Sequence, residues 1–150
     1  VRCYLKAVLL AALIPVTVAR ADDDLVVLSV NASYAGVVLD VEDAIINRGY
    51  VVDHRGHVGT MLKRTQDEVG ATGSVYKNAE YLQFCSVLLA RKAFEKNPNN
   101  IAYCPYTVFV YETEANPGVV VVGYRKLPAG EERDAINTLL GQIVQEAAKP

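Results

Sequence analysis

No stretch of this sequence is apolar over the roughly twenty residues that a bilayer-spanning helix needs. The one long apolar run, Ala7–Val18, is too short and carries Pro15 near its end. A spanning anchor is therefore not expected. Basic residues form no stripe, and aromatics are not interleaved with Arg or Lys, which excludes nucleic-acid binding and electrostatic adhesion to an anionic membrane. No C-x-x-C is present, against a thioredoxin-like catalyst. No G-x-S-x-G elbow occurs, and Gly59, Gly70 and Gly73 are scattered with no G-K-[ST] after them. No acid pair has glycosidase-type spacing, and no repeat or low-complexity tract appears. Catalysis stays an open question, with a non-catalytic role ahead of it.

What is present begins with an export signature. Arg2 and Lys6 make a basic start, an apolar run follows, and Ala19-Arg20-Ala21 supplies a small-x-small cleavage pattern. The expectation is a signal peptide over 1–21, cleaved after Ala21, and a periplasmic or secreted domain over 22–150 with no stable membrane insertion once cleaved. Loss of Arg2, Lys6 and Arg20 leaves 12 basic residues against 17 acidic ones, a net charge of −5. One domain of this length can bury a real core without metals or staples.

Leu25–Val30 reads as a strand, and Asn31–Ser33 offers helix-capping side chains. Val37, Val38, Val41, Ala44 and Ile45 then recur at helical spacing up to Gly49. Tyr50–Val58 has extended character and carries both histidines. Gly59–Tyr76 is polar and glycine-punctuated, with room for a short helix over Met61–Glu68. Glu80–Cys85 reads as a strand, and Ser86 can cap a helix to about Lys96. Ala102–Glu114 and Gly118–Arg125 form a hairpin around Asn116-Pro117-Gly118. Ile136, Leu139, Leu140, Ile143, Val144 and Ala147 make the stripe of a final helix. This order predicts an α+β fold, a mostly antiparallel sheet with helices packed on one face.

The segment from Phe84 to Pro128 resembles the family called domain of unknown function 302. The pattern is a Cys between a strand and a helix, a Pro-containing turn, a Cys-Pro, and a strand ending Val-Tyr-Glu. These fall on Cys85, Pro98, Cys104-Pro105 and Val110-Tyr111-Glu112. Gly49-Tyr50-Val51-Val52 at the second strand agrees too, and the resemblance runs over about Leu25–Pro128. Many members follow the first Cys with Asn-Pro, where Ser86-Val87 stands here. The resemblance implies a TBP-like fold and a homodimer in many members, and no general activity.

Cys85 and Cys104 are the first candidates for chemistry. Two core thiols or a structural disulfide is the plainer reading in an oxidising compartment. If the flanking strands are neighbours the sulfurs can meet, closing a loop worth roughly 3 kcal/mol. Against it stand a helix-activated thiolate at Cys85, and haem ligation through Cys104-Pro105. His54 and His57 have ligand spacing with Met61, H-x-x-H-x-x-x-M, which suits copper or haem. On a strand, however, residues three apart lie on opposite faces unless Gly56 breaks it. Tyr103, Tyr106, Tyr111 and Tyr124 can line a pocket for a flat ligand or pack as core and cross-strand pairs. The leading function is a non-catalytic module holding a small ligand between sheet and helices, through Cys85, Cys104, His54, His57 and Tyr106. A thiol-redox or metal-handling protein, and an assembly protein acting through a dimer surface, are the alternatives.

Overall fold

Tyr106–Thr113 alternates buried and half-buried side chains at every step, as a strand does when only one of its faces is covered. It is β4 of a computed structural model that describes residues 24–149. The expected signal segment lies outside the described residues. The other strands are β1 (Leu25–Asn31), β2 (Val52–Gly56), β3 (Tyr76–Phe84) and β5 (Val119–Arg125). They form one sheet in the order β1-β5-β4-β3-β2, and every neighbouring pair is antiparallel. Four helices are interleaved with them: α1 (Tyr34–Ile46), α2 (Val58–Arg64), α3 (Val87–Lys96) and α4 (Glu131–Ala147). The α+β architecture is the one expected.

Helices α1 and α4 bury the stripes read from their spacing. Val37, Val41 and Ile45 of α1, with Ile136, Leu140, Ile143 and Val144 of α4, close over Leu82, Phe84, Val108, Val110, Val120 and Val122 of the sheet. A fully buried side chain of this kind contributes about 1.5–3 kcal/mol. Ser33 caps α1 by accepting from the Gly36 N–H, and Gly49 leaves it at a φ of +80°, in the left-handed region that glycine tolerates best. Ser86 caps α3 in the same way, through the Leu89 N–H. Asn137 is buried on α4, where its side-chain amide accepts from Leu127 N–H and donates to Leu127 C=O, fastening the chain beyond β5 to the helix.

Several boundaries differ from the reading above. β3 begins at Tyr76, ahead of Glu80, with a register shift between Tyr76 and Asn78. Residues 102–103 belong to a 3₁₀ segment, Pro98–Tyr103, so β4 starts only at Tyr106. β2 ends at Gly56, which puts His57 outside it, and α2 begins at Val58 rather than Met61. Strand β2 pairs only with Tyr81–Phe84, and α2 packs along β3 beyond that point. Gly59 permits this: a Cβ there would stand 2.9 Å from the Ala79 backbone nitrogen. Among the described residues no helix is long and apolar enough to cross a membrane.

Candidate functional site

Phe84 of β3 and Tyr106 of β4 are cross-strand partners, and the cysteines lie just beyond them. That neighbourhood sets the Cys85 and Cys104 α-carbons 6.2 Å apart, within the roughly 7 Å a bridge can span, and the sulfurs at disulfide distance. A sulfur so paired is neither a thiolate nucleophile nor a soft-metal ligand. Tyr106 beside them is buried, with its ring edge-on to Phe84 at 5.7 Å. Its hydroxyl makes no hydrogen bond within the protein, and burial, with the nearby Tyr50, pushes its pKa up to about 12. Tyr124 is likewise buried and raised by that burial, while Tyr103 lies outside the core under the Arg133 guanidinium, 5.6 Å from the ring centre. The space between sheet and helices, where a ligand was expected, is filled by side chains.

The histidines are not brought together. His54 pairs with Gln83 across β2 and β3 and lies beside Tyr81, ring centres 5.9 Å apart. His57, past the strand end, turns to Glu80, with Nδ1 3.7 Å from Oε2. Among the described residues no three His, Cys, Asp or Glu side chains are grouped to hold a metal.

Glu80 is the centre of a polar cluster that spacing alone did not suggest. The Tyr34 hydroxyl donates to Oε1 at 2.9 Å, and Arg55 Nε stands 3.5 Å from Oε2 while its Nη2 bonds Glu42 on α1. Burial and then this hydrogen bond push the Tyr34 pKa far above the usual tyrosine range. Glu112, the last residue of the Val-Tyr-Glu motif, is buried too. Its carboxylate accepts from Gly118 N–H at 2.7 Å, Asn78 Nδ2 at 2.9 Å and Lys77 Nζ at 3.1 Å, which together hold its pKa down to about 2. Glu112 thereby closes the β4–β5 turn.

The other face of the sheet carries no helix packed on it from α1 or α4, and its middle is apolar and aromatic, with Thr107, Gln83 and His54 on the flanking rung. One rung crosses all five strands there: Val27, Gly123, Phe109, Tyr81 and Gly56 are successive register partners. Each ring lies over a glycine. A Cβ on Gly56 would collide with the Tyr81 ring, and one on Gly123 with Phe109 at 2.8 Å and with the Val26 carbonyl. Tyr81 and Phe109 therefore lean apart. Beside them Tyr111 stacks near Phe109 at 6.3 Å and meets Tyr76 edge-on at 5.4 Å. Val58 and Val75 complete a groove of about 510 Å³, a volume usual for small-molecule sites. Leu25 and Val27 at its rim are 45% and 48% exposed. Of the tyrosines singled out from the sequence, only Tyr111 faces this groove.

Comparisons with known proteins bear on the family and the fold. No curated protein matches the chain. A crystal structure of an uncharacterised conserved DUF302 protein from Bacillus stearothermophilus superposes with a TM-score of 0.68 at 18% identity, over 84% of this chain and 98% of that one. At that identity the likeness speaks for the fold. The family model for the domain of unknown function DUF302 matches residues 26–148, nearly the whole described chain, and the protein belongs to that family.

Proposed function

We propose that this protein is an exported, non-catalytic binding module that takes up a flat, largely apolar small molecule on the open face of its sheet. The observation that carries the reading is the five-strand rung. Two glycines let two facing aromatic rings lie down in opposite directions, which opens a groove of about 510 Å³ between aromatic walls. Flat π-surfaces gain from such walls by stacking as well as by loss of apolar area. The reading needs no metal. It moves the ligand from the helix side of the sheet, where the core is filled, to the side that is bare.

Protoporphyrin IX, flat and metal-free, is the first probe. Its absorption band is followed as it is titrated into the folded protein, with native mass measured in parallel. Saturable one-to-one uptake, weakened tenfold or more by Phe109→Ala, is the expected result. Uptake that does not saturate, or that Phe109→Ala leaves unchanged, overturns the reading. Uptake that needs iron and is lost on His54→Ala or His57→Ala points to a haem-ligating protein. A doubled native mass with no uptake points to a second copy of the chain covering this face, the assembly role.

A further inference from the structure

We infer that the cleft beside His57, on the other side of β3 from the aromatic groove, is a site for a small zwitterion, a molecule of the α-amino acid type with ammonium and carboxylate close together. The cleft has a volume of about 100 Å³ and is lined by Tyr34, His57, Thr60, Lys63, Asn78 and Glu80 among others. That is room for a molecule of a few non-hydrogen atoms, the size of glycine or alanine.

Its two ends differ in charge. At one end Glu80 and Glu42 share a single guanidinium, that of Arg55, which leaves a negative excess. The Glu80 side chain is 11% exposed, and its buried Oε2 has Arg55 Nε at 3.5 Å and His57 Nδ1 at 3.7 Å as ion-pair neighbours but accepts no hydrogen bond within the protein. Those neighbours offset its charge at longer range, and a donor from outside still finds a hydrogen-bond acceptor open to it. At the other end Lys63 donates only to the Lys77 carbonyl, at 3.1 Å, and forms no ion pair among the described residues. Lys77 is already paired with Glu112. Lys63 thus brings a positive excess to the same cleft. The Tyr34 hydroxyl is engaged by Glu80 Oε1, whereas Thr60 and Asn78 add polar surface between the ends.

A lone cation would meet Arg55 and Lys63 as repelling neighbours, and a lone anion would meet Glu80. A zwitterion matches both ends: its ammonium donates to Glu80 Oε2 and its carboxylate faces Lys63. Charge-assisted hydrogen bonds of this type are the strong ones, and losing one weakens binding about tenfold or more.

Calorimetric titration of the folded protein with glycine, alanine, acetate and methylammonium tests the assignment, each variant being checked for a cooperative melt. Saturable one-to-one binding of glycine or alanine is expected, with acetate and methylammonium each at least tenfold weaker. Glu80→Gln and Lys63→Met should each weaken the amino acid tenfold or more. Lys63 sits on an exposed helix, so its replacement tests the site even if Glu80→Gln fails to fold. Absence of saturable binding by either amino acid overturns the proposal. So does acetate binding as tightly as glycine, or glycine affinity unmoved by Lys63→Met.

Discussion

Tyr81 and Phe109 face each other across β3 and β4, and their rings lie down in opposite directions, Tyr81 over Gly56 and Phe109 over Gly123. Cross-strand aromatic partners ordinarily lean together and bury each other's faces. Here each finds a bare backbone on its outer side, and the space between them is left as groove. The same contacts make the glycines hard to replace.

Gly123→Ala should cost about 1–3 kcal/mol, because the added methyl meets the Val26 carbonyl as well as the Phe109 ring, and backbone in the sheet cannot step aside. Gly56→Ala should cost less, since its obstacle is the Tyr81 ring, which can rotate away. Urea unfolding midpoints of the two variants give the ranking. Equal stability of Gly123→Ala and the parent protein would show that the Val26 carbonyl and the Phe109 ring do not crowd this position as described.

Replacing both Cys85 and Cys104 by Ser should lower stability by roughly 3 kcal/mol, the loop-closure value for a separation of 19 residues. The parent protein treated with dithiothreitol should unfold at the denaturant concentration of the double variant. If reductant shifts nothing, the cysteines are not bridged.

Glu112 sets an acid limit. Its pKa is about 2 in the folded protein against about 4.5 when the chain is open, so its stabilisation is complete above about pH 4.5 and is lost as pH falls toward 2. Melting temperature should be level from neutrality to about pH 5 and then decline. Glu112→Gln should be less stable at neutral pH and should show a shallower acid decline. An identical slope in both proteins would assign the acid limit to other carboxylates.

At alkaline pH the signs reverse. The Tyr106 pKa is raised to about 12 from 10, so the stability tied to its neutral form is intact below pH 10 and lost between 10 and 12. Absorbance at 295 nm should show Tyr34, Tyr106 and Tyr124 of the folded protein ionising above the ordinary tyrosine value of 10. Because the Tyr106 hydroxyl is buried without a partner, Tyr106→Phe should be neutral or stabilising by up to about 1 kcal/mol. A clear loss of stability in that variant would mean the hydroxyl has a partner after all.

Sequence patterning located α1 and α4 closely because both bury a wide stripe against one sheet face. It placed the start of β3 late for a physical reason. Asn78 and Glu80 bond to Glu112 and Tyr34, so the strand's inner positions are polar there and the alternation vanishes. Helix α2 was misplaced because its position follows from covering the edge of β3 beyond β2, a tertiary demand with little periodicity behind it. The cysteine pairing was legible once the two strands were taken as neighbours. The groove was not, since it depends on a register shared by five strands from distant parts of the chain. A glycine inside a strand does signal close approach by something, and Gly56 and Gly123 were the available clue. The Tyr34–Glu80 contact likewise joins residues 46 positions apart, with no motif to announce it.

The pairing of β1 with β5 sets an order of events in the life of the chain. Leu25 finds Arg125 a hundred positions later, so β1, made before the rest of this sheet, is among the last of its strands to be docked. Until then the outer edge of β5 offers seven unpaired register positions to any suitable strand. The first strand of a second molecule fits that edge as well as the chain's own, joined as it is to the rest only through residues 32 and 33 before α1 begins. At high concentration during refolding, exchange of β1 between two molecules is the misassembly this topology invites.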